Sequence, residues 1–211
     1  MEIFQDAYAY YLQNQAFFWQ ATSRHLMLSF SALGISLLVA FPLGLWIAKR
    51  QQISQVVINI FNGIRVIPSL AILFLALPYL GLGYAPSLIA LTVLAFPPVL
   101  ISTFTGIRGV DPAVIESASA MGMTKSQVLL QIEIPLAVPA IIAGIRIASV
   151  EVISSATLAS FIGGGGLGDF ITRGFALFNV PVMLVGAIPV ALLALASELV
   201  WSLVLRRYPV Q

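Results

Sequence analysis

Between Val66 and Ile107 the chain carries no charged residue. At a rise of ~1.5 Å per residue the run is too long for one helix across a hydrocarbon layer of ~30 Å. Gly81, Gly83 and Pro86 mark the turn that divides it. Its second part, about 86–107, is read as one span, with Pro97 and Pro98 bending it. Upstream, Leu26 to Ala48 is also charge-free and is closed by Lys49 and Arg50. Another span is expected over about 54–80, interrupted by Arg65 and Pro68, and two more over about 136–162 and 180–205. A chain 60% hydrophobic and 9% charged has no room for an ordinary soluble domain. The fold class expected is an all-α membrane protein of five transmembrane helices, with one membrane domain over 22–205 and a short tail over 206–211.

The basic residues orient it. Placing 111–135 in the cytoplasm puts Lys49, Arg50, Arg108, Lys125, Arg206 and Arg207 there, leaving Arg24 and Arg173 outside. That distribution follows the positive-inside rule and gives an outside N-terminus and a cytoplasmic C-terminus. Residues 1–21 are aromatic-rich, with Phe4, Tyr8, Tyr10, Tyr11, Phe17, Phe18 and Trp19. They read either as an interfacial segment or as a partly ordered tail, and lack the pattern of a signal peptide. With no cysteine and a single histidine, His25, the chain offers neither thiol chemistry nor a histidine cluster. Its basic residues flank apolar runs rather than forming a patch for nucleic acid.

Asp111 to Pro135 is an island where polar residues recur. Asp111 and Pro112 suit the start of a helix whose apolar face would be Val114, Ile115, Ala118 and Met121. Gly122 ends it, and Thr124 with Gln127 forms a capping box for a second helix with Val128, Leu129 and Ile132 on one face. Pro135 is expected to break the pattern before the next span.

Glu116, Ala118, Gly122, Ile132 and Pro135 fall on the fixed positions of a Glu-Ala-Ala…Gly…Ile-x-Leu-Pro motif. In this it resembles the permease subunits of bacterial ATP-binding-cassette importers of the type I fold. Ser117 and Ile134 depart from the motif without changing size or polarity class. The resemblance implies that 111–135 is a coupling helix between spans three and four. Glu116, Ser117, Ala118, Met121, Gly122, Met123, Thr124 and Lys125 would dock on an ATPase subunit, with Ile132 and Pro135 as structural positions. It implies further a second permease subunit (identical or paralogous), two ATPase subunits carrying ATP-Mg, and an extracytoplasmic solute-binding protein. This chain would bind no cofactor, no metal and no nucleic acid, would hold no catalytic residue, and would lie in the lipid of the bacterial cytoplasmic membrane as a multi-pass subunit.

Gly163, Gly165 and Gly168 match the spacing of a dinucleotide fingerprint, but no βαβ unit surrounds them and no Lys follows Gly168. Gly163, Gly164, Gly165, Gly166 and Gly168 read as an extracytoplasmic loop of tight turns and close backbone approach. The stretch ATLASFIGGGGLGDFI resembles that of permeases for glycine betaine, choline and carnitine, with a related loop in methionine-type permeases. Of the ionisable residues within the last spans, Arg146 and Glu198 stand at similar depth and are read as an intramembrane ion pair. Glu151, with Ser154 and Ser155, either lines the translocation path and favours a cationic headgroup or is a hydrogen-bonded packing group. Arg65 with Asn62 either lines a break in span two or snorkels. The function expected is an importer permease for a quaternary-amine osmoprotectant. The alternatives are a permease for another small solute such as an amino acid, an ion-coupled carrier or channel half, and a scaffold.

Overall fold

The computed structural model describes residues 2–208. Met1 and the 209–211 end of the expected tail lie outside the described residues. Every element among the described residues is helical. The order is α1 (Glu2–Gln13), α2 (Gln15–Ala48), α3 (Gln51–Val66), α4 (Ser69–Leu80), α5 (Tyr84–Arg108), α6 (Pro112–Ala120), α7 (Lys125–Val128), α8 (Ile134–Ser155), α9 (Gly168–Ala176) and α10 (Val180–Leu205). Four helical stretches among the described residues are long and apolar enough to cross a membrane. A fifth crossing is available if α3 and α4 form one broken span, bent by 96° at Ile67 and Pro68. Pro68 has no N–H and forces Ile67 into extended backbone, so the break falls where the sequence placed an interruption.

α2, α5 and α8 form the core. Fully buried Leu28, Leu91 and Leu100 pack with Ala32, Ala40, Ala95, Ala148 and Val152. Helices surrounded by lipid gain little from hiding apolar surface and associate by close packing, which small residues permit. Gly44 on α2 faces Thr103 of α5, and Gly106 on α5 faces Ala137 and Ala140 of α8. α2 and α5 run parallel: Arg24, at the start of α2, lies over the Tyr84 ring at the start of α5, while Ala48 packs with Ile107 at their far ends. α8 runs back along α5, with Gly106 meeting the beginning of α8 and Pro98 lying beside its Gly144.

Several helix ends differ from the sequence expectation. α2 begins at Gln15, so the aromatic N-terminal stretch is split between α1 and the first turns of α2. The two pack with α9 and α10 around buried Phe170. The single span expected over 86–107 is a single helix, α5, which continues through buried Pro97 and Pro98. The helix expected to reach 162 stops at Ser155, and Leu158–Ile162 is a 3-10 turn. Pro135 breaks nothing, because Leu129–Glu133 form a π turn and the helix runs from Lys125 through to Ser155. In the π turn the Ile134 N–H reaches back to Leu129 O, a register shift that makes room for a ring with no N–H to donate.

Candidate functional site

The end of the molecule that holds Ala48 and Ile107 carries α6 and α7. Asp111 Oδ1 accepts the Ala113 N–H at 2.9 Å and starts α6. Gly122, at φ +87°, ends it: its N–H donates to Ser119 O at 3.0 Å and the Met123 N–H donates to Ala118 O at 3.2 Å. This pair of bonds is a Schellman stop, which a glycine in the left-handed region makes at little cost. Thr124 then closes a reciprocal capping box, its N–H donating to Gln127 Oε1 at 2.8 Å while Gln127 N–H donates to Thr124 Oγ1 at 3.3 Å. The apolar face expected on α6 is only partly used. Ala118 is buried and Ile115 half-buried, whereas Val114 is exposed and Met121 is 77% exposed. A nine-residue helix projecting beyond the bundle has too few neighbours to cover that face. Glu116, Ser117, Gly122, Thr124 and Lys125 are exposed as well. Pro135 is exposed and Ile132 half-buried.

At mid-span the break between α3 and α4 opens a cavity of about 360 Å³. Ile64, Arg65, Val66, Ile67, Pro68 and Ser69 line one side, and Leu94, Pro97, Glu151, Ser154 and Ser155 the other. Glu151 and Ser154 also line a shallower hollow with Arg146 and Glu198. Glu151, Ser154, Ser155 and the Arg146–Glu198 pair thus share one surface, and Arg65 joins it from α3. Asn62 does not line this cavity. Arg146 Nε donates to Glu198 Oε2 at 2.8 Å and its Nη2 to Oε1, a fork-on-carboxylate arrangement that fixes both groups. Nearby, Trp201 Nε1 donates to Ser149 Oγ at 3.0 Å and ties α10 to α8 a second time.

The glycine loop lies at the opposite end, built into the packing rather than hanging free. Gly164, Gly166 and Gly168 are buried. The Gly83 N–H donates to Ile162 O at 2.7 Å, and Arg24 Nε donates to Gly164 O at 2.7 Å. Gly163, Gly165 and Gly166 take φ of +75°, +76° and +102°. Fully buried His25 donates from Nε2 to Ile153 O at 3.1 Å beside them. Asp169 opens α9 next to this loop; partial burial pushes its carboxyl up, while the Arg24 charge pulls it back.

One pair escaped the sequence reading. Lys49, just past α2, is bonded to Glu133 of the π turn, and that carboxylate is only 2% exposed. The available signal was an acid inside an otherwise apolar run and a lysine at the end of another, with nothing local to join them.

A charged cavity at mid-depth serves a protein that passes polar solutes and costs one that merely anchors, so the fold and site define a membrane transport subunit. The comparisons agree. A family described as binding-protein-dependent transport system inner membrane component matches residues 40–208. The carnitine transport permease protein OpuCB of Listeria monocytogenes is 46% identical over 177 residues, covering 84% of this chain and 81% of that protein. The choline transport system permease protein OpuBB of Bacillus subtilis is 41% identical over 186 residues, covering 88% and 86%. The osmoprotectant import permease protein OsmY of Salmonella typhimurium is 37% identical, covering 83% and 75%. Among solved structures, a chain of the MetNI methionine ABC transporter in an inward-facing conformation superposes with a TM-score of 0.83 at 19% identity, over 92% of this chain and 96% of that one. This chain belongs to the family of binding-protein-dependent transport system inner membrane components.

Proposed function

We propose that this chain is the permease subunit of an ATP-driven importer for a small quaternary amine such as carnitine, choline or glycine betaine. The observation that carries the mechanism is the Schellman-stopped, boxed helix pair α6–α7, rigid by its own hydrogen bonds yet exposed at Met121. A preorganised element with an uncovered apolar residue suits docking into an ATPase subunit. The helix leading from it runs unbroken into α8, which carries Glu151. Movement at the docking end would therefore reach the cavity. Two such subunits would face each other across the pathway, served by two ATPase subunits holding ATP-Mg and by a binding protein outside a bacterial cytoplasmic membrane.

Five crossings are supported by the parallel run of α2 and α5. Two parallel helices need a connection that returns through the layer, and α3–α4 is the only chain between them. The positive-inside distribution supports a cytoplasmic position for α6–α7. The substrate class rests on the names of the relatives and on chemistry. The cavity offers the Glu151 carboxylate and the Arg65 guanidinium, which match the two charges of carnitine or glycine betaine, and the carboxylate alone matches the single charge of choline.

The test uses the absence of cysteine. A single cysteine replacing Met123 or Lys125 should crosslink, in native membranes, to an ATP-binding subunit identified by mass spectrometry. Intact, well-expressed membranes that yield no such subunit would turn the reading toward an ion-coupled carrier.

A further inference from the structure

The Lys49–Glu133 pair stands where three parts of the fold meet. Lys49 follows the last residue of α2 and interacts well there with the negative end of the helix dipole. Glu133 is the last residue of the π turn that joins α7 to α8. Immediately beside them Ala48, Ile107, Ala137 and Ile141 form a small buried core of α2, α5 and α8. The neighbouring cation does not compete for Glu133, because the Arg50 guanidinium lies over the Trp46 ring, 5.8 Å from its centroid.

A buried carboxylate with one cationic partner is costly to separate and holds its partner in place. A π turn, in contrast, is a local departure from α geometry that can take up or release a residue of register. We infer that the Lys49–Glu133 ion pair is a positioning latch: it clamps the π turn to the end of α2, so that displacement of α6–α7 moves the α2–α5–α8 core instead of being absorbed in the turn. Neither residue lines the cavity or the hollow beside it. Their effect is on coupling, and the inference rests on the importer reading above.

The experiment reconstitutes the complete transporter, with its ATPase and binding-protein subunits, in proteoliposomes. It measures ATP hydrolysis and uptake together, using whichever of choline, carnitine and glycine betaine the unaltered transporter takes up. Glu133→Gln and Lys49→Met should keep hydrolysing ATP while uptake per ATP falls about tenfold, within the range of typical coupling effects. The charge exchange Lys49→Glu with Glu133→Lys should recover much of that loss. Should the single variants fail to assemble, the pair Lys49→Met with Glu133→Leu decides, since it leaves no unpaired charge. A lowered uptake-to-hydrolysis ratio in it supports the latch, and an unaltered ratio overturns it. A transporter with no ATP-driven uptake before any substitution would sink the importer reading; normal coupling in every assembled variant would sink only the latch.

Discussion

Glu151 is a carboxylate near the C-terminal end of α8, level with the α3–α4 break, open to a cavity on one side and to the Arg146–Glu198 hollow on the other. A charge at such depth is kept where water, solute or a counter-charge can reach it. Replacing it with glutamine keeps the shape, removes the charge and turns one accepting oxygen into a donating NH2. Uptake by Glu151→Gln at equal expression should fall roughly tenfold, the equivalent of about 1.4 kcal/mol of lost interaction. Uptake at the unaltered rate would leave Glu151 as a packing residue. Asp169 makes a different prediction, about pH. Burial raises its carboxyl above the unfolded value and the Arg24 charge only partly offsets that. Folding therefore binds a proton between the two pKa values. The contribution is fully present below the unfolded pKa and is lost as pH rises through the folded one. Asp169→Asn should accordingly be the more stable protein at neutral pH in detergent, with thermal midpoints that converge with those of the parent as the pH is lowered into the carboxylate range. A parent midpoint that instead drops on acidification, relative to the variant, would reverse the assignment.

The same division by cost applies to whole elements. Helix crossings here depend on absent side chains. A Cβ on Gly106 would lie 2.9 Å from Ala140 Cβ and 3.2 Å from Ala137 O, across the α5–α8 contact, while one on Gly34 would meet nothing within 4 Å. Gly106→Leu should destabilise the protein by about 1–3 kcal/mol through overpacking, whereas Gly34→Ala should stabilise it by about 0.5–1 kcal/mol through helix propensity alone. Thermal unfolding of both, side by side, checks the pair, and equal midpoints would remove the close-contact argument. What was legible in the sequence follows the range of each interaction. The Thr124–Gln127 box was legible because its partners are neighbours and the chemistry is local. Arg146 and Glu198, 52 residues apart, could be paired because charges in a membrane are few and depth can be counted from the helix ends. Lys49 and Glu133, 84 apart, could not, since Glu133 sits in a π turn whose register the sequence does not advertise. Pro135 misled for the same reason: the expected break assumed α geometry, and the turn before it is not α.

Across the whole molecule, the two ends are chemically distinct. One gathers Arg24, Tyr84, the glycine loop and the aromatic cluster on Phe170; the other gathers Lys49, Glu133 and the exposed α6–α7 pair. The bent α3–α4 decides how these ends relate to the membrane. If it crosses, five spans place the N-terminus and the C-terminus on opposite sides. If it only dips in and returns, four spans place them on the same side. Parallel α2 and α5 favour crossing, because their starts share one end of the bundle. A chain without cysteine allows this to be read directly. With a membrane-impermeant maleimide applied to intact cells, Glu2→Cys and Arg173→Cys should be labelled. Lys125→Cys and Arg207→Cys should react only after permeabilisation. Labelling of positions 2 and 207 from the same side would establish four spans, and the α2–α5 arrangement would have to be given up; were both labelled from outside, the proposed cytoplasmic docking of α6–α7 would go with it. The predicted pattern would instead leave α3–α4 as a broken span, with its 96° bend placing the Arg65 side of the cavity opposite Glu151.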